Sequence, residues 1–413
     1  MAASRAAERG LKTLLLEKNP RPGIKILMSG GTRCNVTHST DARGIVNAYG
    51  RQGPFLHSAL AVLSPSDLLD WLNEEGVATK VESTGKVFPV SDKASDVLDA
   101  LLRRLRRSGA KLSLGEPLRS LKRKGESFEL KTPDRILTAR NIIITTGGRS
   151  YPRSGTTGDG YTWAAQFGHT VVEPCPALTP ITSDAIWVRK LQGVTVPDVA
   201  VRILPSSRTS SPKAQAGKEH SHQGKFRPLA EARVSFLFTH FGISGSPVLD
   251  VSRVVARHPD PVTLSVFCDF VPERSAEHLS AWLEKRCTQL GRRQIAVILS
   301  EILPRRLADT LCRLARIPEE RSATEVSKSA RRNLISAMKA TSIPASGVMG
   351  FKKAEVTAGG VTLKEVDSKT MQSKLVPGLY FAGEILDLDG PIGGFNFQAA
   401  FSTGALAGEK ITT

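Results

Sequence analysis

The chain has 413 residues, too many for one ordinary core and enough for roughly two or three domains. Its 57 Lys and Arg exceed 39 Asp and Glu by +18, while 40% hydrophobic and 23% charged residues exclude a disordered or fibrous polymer. Cys34, Cys175, Cys268, Cys287 and Cys312 form no CxxC pair, which excludes a disulfide scaffold and a cysteine-rich zinc module and points to the reduced cytoplasm. No apolar run reaches the roughly 20 residues of a membrane span, and residues 1–10 lack the apolar core of a signal peptide.

Residues 1–10 read as the tail of a helix, with Ala2, Ala3, Ala6 and Ala7 as helix formers and Gly10 as its stop. Residues 12–17 (KTLLLE) form an apolar run suited to a buried parallel strand. Helices are predicted over 64–75 and 92–108, then short strands near 111–114, 118–123, 127–131 and 136–139. Residues 141–146 (NIIITT) make another buried strand, and 158–167 a helix. From about 175 to 345 the character changes to β-like segments (194–204, 233–239, 261–270), then charged helices (275–290, 292–300, 304–315, 324–340). Residues 205–228 are rich in Ser, Lys, His and Gly and read as a flexible basic excursion. A strand at 379–382 and a helix at 395–410 close the chain. The order is α/β, an inserted block, then α/β again. It predicts a dinucleotide-binding domain of residues 1–174 and 346–413 interrupted by a second domain of 175–345.

Four stretches carry chemistry. Glu17 ends the first strand, where a dinucleotide-binding unit places a carboxylate on ribose hydroxyls; Lys18 follows it. The Gly-rich phosphate turn belongs about 20 residues earlier, ahead of Met1, so the chain is expected to begin inside the first helix with that strand and turn missing. Loss of the turn in a natural variant is the alternative. Residues 25–38 (KILMSGGTRCNVTH) hold Ser29, Gly30 and Gly31 beside the donors Arg33 and Asn35, a pattern that suits an anion-binding nest of backbone N–H groups. Cys34 reads as an inert buried thiol. Thr146, Gly147 and Gly148 end a strand as in flavoproteins that pass the chain close to the adenosine of FAD. Gly383 and Glu384 end the last strand and precede Gly394, Phe395, Asn396 and Phe397 at a helix start. There a carboxylate can accept hydroxyls, and free N–H groups favour negative charge. No Ser-His-Asp or metal constellation stands out, so no catalytic residue is assigned and no metal is expected. His220 and His222 read as exposed loop histidines, and His240 is equally suited to a structural bond or a site wall.

These blocks together resemble the aminoacetone-oxidase-like flavoproteins, a family of NAD(P)/FAD-dependent oxidoreductases. The resemblance rests on 17–20 (EKNP), 29–37, 147–161, 237–246 (LFTHFGISGS), 354–367 and 371–404. Thr32, His38 and Ser246 depart from the family pattern. The resemblance implies an α/β fold: a discontinuous Rossmann-type, glutathione-reductase-like FAD-binding domain with an inserted β-rich and helical domain. It also implies FAD as cofactor, hydride passing through flavin N5, and NAD(P)H as a reductant.

The positive charge is segmental. Residues 101–125 carry nine Lys/Arg against one Glu, 201–233 seven against two, and 281–340 thirteen against six. Such runs suit either solvated helix faces or contact with RNA phosphates. The substrate therefore stays open between a small amine, a conjugated metabolite and uridine in ribosomal RNA, which the family resemblance also covers. A non-catalytic, basic nucleic-acid-binding protein on a flavoprotein scaffold is the alternative.

Overall fold

The computed structural model describes residues 1–206 and 227–412. Most of the predicted excursion, with His220 and His222, lies outside the described residues. The chain divides into two units, one of Met1–Pro176 with Glu355–Thr413 and the other of Ala177–Ala354.

In the first unit the predicted apolar runs become parallel strands. Leu14–Glu17 pairs with Lys111–Leu114, and Leu379–Phe381 pairs with Ile142–Ile144. Parallel pairing requires cover on both faces. One cover is the helix Phe395–Lys410, whose Ala405 and Ala407 are fully buried and whose small residues let Ala2–Glu8 pack closely. An antiparallel meander (Ser120–Lys124, Ser127–Lys131, Ile136–Ala139) carries Leu121, Phe128 and Leu130 into the same core. Among the described residues, Leu14–Glu17 has a partner strand on one edge, and so has Ile142–Ile144.

Local rules fix the helices. At Pro65–Glu74, Ser64 accepts from Asp67 N and Asp67 accepts from Ser64 N, a capping box that satisfies two orphan donors; Leu68, Trp71 and Leu72 are the face it buries. Ala94–Arg107 buries Val97, Ala100 and Leu105 and ends in an arginine run. Three of those arginines serve the fold: Arg103 donates to Glu75 O, Arg107 pairs with the buried Glu75 and Arg104 with Glu8.

Among the strands not predicted, two join the parts of this unit. Val171–Ala177, where the chain leaves this unit, pairs with Val356–Val361, where it returns. Beside them a chain of polar groups runs from the half-buried Glu365 to the buried His169 and Ser373. His169 Nδ1 lies 3.2 Å from Glu365 Oε2 and Nε2 lies 2.7 Å from Ser373 Oγ. Ser373 Oγ also accepts from Val376 N at 2.9 Å.

The second unit is built on a seven-stranded antiparallel sheet in which Thr195–Pro205 lies between the central Ala230–Thr239 and Leu264–Asp269. The helix Ser246–Arg257 packs on it through Val248, Val251 and Val255. The charged block folds into the helices Ala276–Gln289, Ile295–Leu299, Arg305–Leu314 and Lys328–Ala340. The segment 324–340 is thus not one helix: Ser322 caps a short turn, Ala323–Glu325, and Ser327 caps the helix proper.

Burial holds the His169 imidazole below its ordinary value, against the pull of Glu365. The unfolded chain therefore takes up this proton first. The contribution is complete above about pH 6.5 and declines as pH falls through that value. Urea midpoints measured from about pH 8 to about pH 5.5 are expected to fall, and a His169→Gln variant to show a lower midpoint with a flatter dependence.

Candidate functional site

A cavity of about 1090 Å³ lies in the first unit between the strands Leu14–Glu17 and Ile142–Ile144. Its wall is apolar along the strands (Leu14, Leu16, Ile142, Ile144) and polar at their C-terminal ends (Glu17, Lys18, Thr146, Gly147). Ligands of open parallel sheets bind at that end.

The polar end is built by bonds between distant parts of the chain. Glu17 Oε1 accepts from Asn19 N at 2.8 Å. Lys18 Nζ donates to Thr157 Oγ1 at 2.6 Å and to Asp159 Oδ2 at 2.7 Å. Thr146, Gly147 and Gly148 follow one strand while Gly383 and Glu384 follow its parallel partner, so the two turns lie side by side. Glu384 Oε1 accepts from Thr357 N at 2.8 Å and Oε2 pairs with the Lys25 ammonium. The fully buried Thr357 Oγ1 accepts from Arg149 N at 2.8 Å and Ser150 N at 3.0 Å. Gly148 admits this contact: a Cβ there would lie 2.3 Å from Thr357 Oγ1.

The other predicted residues lie in two further groups. Ser29, Gly30 and Gly31 form a kink that ends the helical turn begun at Ile24, with Ser29 Oγ donating to Ile26 O. Gly31 has φ +66° and open space where a Cβ would stand. Arg33 pairs with Glu82 at 2.6 Å and stacks over Phe88, and Asn35 Oδ1 accepts from Val87 N. Both side chains tie this loop to the hairpin Thr79–Val81 and Lys86–Pro89. Gly394 caps the last helix, and Phe395 stacks on His38 with ring centroids 4.6 Å apart. Asn396 bonds Gly390 N and O, closing the turn before the helix, and Phe397 stacks on Phe401. Cys34 is fully buried, and burial pushes its thiol up to about 11. His240 is exposed, its ring edge against Phe241.

The sequence matches the family of the HI0933-like protein Rossmann domain over residues 1–410. The chain belongs to this family. The HI0933-like chain is 31% identical over 402 residues to the ribosomal RNA dihydrouridine synthase of Escherichia coli (strain K12), covering 96% of this chain and 91% of that one. It is 30% identical over 409 residues to the 3-dehydro-bile acid delta(4,6)-reductase of Clostridium scindens, covering 99% and 94%. Among solved structures it resembles a 3-ketosteroid delta1-dehydrogenase from Sterolibacterium denitrificans with TM-score 0.46 and 14% identity, covering 99% of this chain and 96% of that one.

The HI0933-like chain is an FAD-dependent oxidoreductase with a discontinuous Rossmann-type domain and a β-rich, helical insertion. Its residues fit the cofactor. The cavity, just above the roughly 300–1,000 Å³ range of small-molecule sites, runs along both strand edges, and its C-terminal end offers Glu17, Lys18, Thr146 and Gly147 to a dinucleotide. Beside the site but in the core rather than on the cavity wall, Tyr161, 7% exposed, has a buried hydroxyl without a hydrogen-bond partner among the described residues. Burial, reinforced by Glu384, pushes its proton loss upward, so it stays a neutral donor.

Sequence reading missed Lys25, Tyr161 and Thr357. Each is an ordinary residue type made special by a partner far away: Lys25 and Glu384 are 359 positions apart. In the HI0933-like fold, Gly148→Ala drives its Cβ onto Thr357. It is expected to destabilise the protein by about 1–3 kcal/mol and to abolish retention of FAD, read by thermal unfolding and flavin content. Gly31→Ala meets open space and carries only its backbone strain, about 1 kcal/mol.

Proposed function

We propose that this chain is a flavin-dependent reductase that adds hydride and a proton to a conjugated carbon–carbon double bond of a uracil base in RNA. Dihydrouridine differs from uridine by reduction of one such bond, and the two relatives named above share a reductive chemistry on unsaturated rings. When bound, FAD supplies the hydride, taken from reduced nicotinamide. In this reading Glu17 and Lys18 receive the adenosine end. Thr146, Gly147 and Gly148 let the cofactor approach the backbone. Glu384 accepts hydroxyls of the ribityl chain. Gly394, Phe395, Asn396 and Phe397 present a helix start that favours a negatively charged ring. In the same reading Ser29, Gly30 and Gly31 offer backbone N–H groups to the cofactor, while Arg33 and Asn35 hold that loop on its hairpin.

The observation that carries RNA over a small substrate is the distribution of charge. Residues 177–354 hold 27 Lys and Arg against 15 Asp and Glu, a net of +12. The backbone draws part of this together: Ala323 N donates to Arg293 O at 2.8 Å and Thr324 N to Gly291 O at 3.2 Å. Exposed Arg292 and Arg293 thus stand next to the segment that carries exposed Arg321 and Lys328, with Glu319, Glu320 and Glu325 among them. Exposed Lys285 and Arg332 belong to helices packed on each other. Such a surface suits phosphates. The run at 101–125 is a weaker claimant, because three of its arginines serve Glu75 and Glu8.

Two measurements test this. The purified protein is expected to carry, or take up, FAD and to oxidise NAD(P)H faster with uridine-containing RNA than with conjugated ketones or amines. The reverse preference rejects RNA as substrate, and RNA binding without any flavin points to the non-catalytic alternative. Affinity for single-stranded RNA is expected to fall steeply with salt, the logarithmic slope being about −0.7 per phosphate engaged. Joint Arg292→Ala and Arg293→Ala substitution should shallow that slope by about 1 to 1.5. A flat salt dependence in the unmodified protein removes the phosphate contact.

A further inference from the structure

The cavity wall carries several cations, and their partners separate them. Lys18 is held by Asp159 and Thr157. Arg135 makes two bonds to the buried Glu116, at 2.8 and 2.7 Å, and is committed to that carboxylate. Lys12, Lys111 and Arg140 stand at the N-terminal ends of the strands, away from Thr146 and Gly147. Lys25 is different. It lines the cavity, pairs with Glu384 and also faces the charge of Glu355.

That carboxylate does not need the lysine to keep its place. Its other oxygen is fixed by Thr357 N, and Thr357 is itself locked to Arg149 N and Ser150 N. Lys25 sits in a short helical turn that ends at the Ser29–Gly31 kink, on a flexible four-carbon stem. The acceptor is fixed by backbone bonds, whereas the donor is carried on a flexible stem. Glu384 is 17% exposed at its side chain and Lys25 33%, so an empty site would leave a half-desolvated carboxylate without its counter-charge if the lysine were absent.

We propose that Lys25 is an exchangeable counter-ion of the FAD site and the cation that receives the cofactor's diphosphate. With the cavity unfilled, its ammonium neutralises Glu384. On loading, cofactor hydroxyls take the place of the ammonium on Glu384 Oε2, and the released charge turns to the phosphate oxygens, where a charge-assisted bond is stronger than a neutral one. This inference rests on the FAD reading and adds to it a residue that discriminates flavins by their phosphates.

The test is equilibrium binding of FAD and of riboflavin, which has no phosphate, followed by flavin fluorescence. The unmodified protein, Lys25→Met and Lys25→Arg are compared. Lys25→Met is expected to weaken FAD by about 10–100-fold, the loss of one charged hydrogen bond, and to leave riboflavin nearly unchanged. Lys25→Arg should keep most of the FAD affinity, and added salt should weaken FAD more in the unmodified protein than in Lys25→Met. Equal losses for both flavins, or no loss for FAD, overturn the proposal and leave the FAD reading intact. An unmodified protein that binds neither flavin overturns that reading, and this proposal falls with it. Should circular dichroism show Lys25→Met unfolded, Lys25→Gln carries the same comparison.

Discussion

One hydroxyl fixes the geometry on which the first unit depends. Thr357 Oγ1 accepts two backbone N–H groups from the turn after Ile142–Ile144, and Thr357 N donates to Glu384, in the turn after Leu379–Phe381. Three chain segments are thereby held at one point, and the point is fully buried. A buried polar cluster of this kind stabilises only when every member is satisfied. Gly148 is the steric condition for it, since any side chain there would occupy the hydroxyl's position. The parallel strands set the direction of the site, and this contact sets its dimensions.

The contact also explains how an interrupted domain closes. The chain leaves the first unit along Val171–Ala177 and re-enters along Val356–Val361, and these two strands pair. Thr357 is the second residue of the returning strand. The residues that form the turn Gly147–Ser150 and those that complete it are separated by more than 200 positions. Local propensity cannot stabilise such a pairing before the insertion has been traversed.

What the sequence disclosed follows from that separation. Runs such as 142–144 and 379–381 announce buried parallel strands through composition alone, and paired glycines announce turns. The helix Ser246–Arg257 did not announce itself. Its apolar residues are mostly valines, whose branched side chains favour strands, and only their spacing on the buried face betrays the helical period. The Glu365–His169–Ser373 chain and the Lys25–Glu384 pair have no local signature at all, because each partner is ordinary until the fold delivers the other. Arg33 and Asn35 illustrate the converse. Their donor chemistry was plain in the sequence, but sequence could not show that Glu82, Asp92 and Val87 lie within reach.

The same reasoning divides the positive charge. Arg104 and Arg107 lie in a run as basic as any in the chain, yet they meet Glu8 and the buried Glu75, so their charge stabilises the helix end and is locally neutralised. Arg292, Arg293, Arg321 and Lys328 are exposed, and backbone bonds between 291–293 and 323–324 join their segments, the second of which also carries exposed Glu319, Glu320 and Glu325. Glu325 caps Ser322 while its carboxylate stays ionised, held below its ordinary value by the Ser322 hydrogen bonds and by the charge of Arg321. Within 319–328 the carboxylates therefore offset the cations, whereas Arg292 and Arg293 have no acid in their own turn, 291–294.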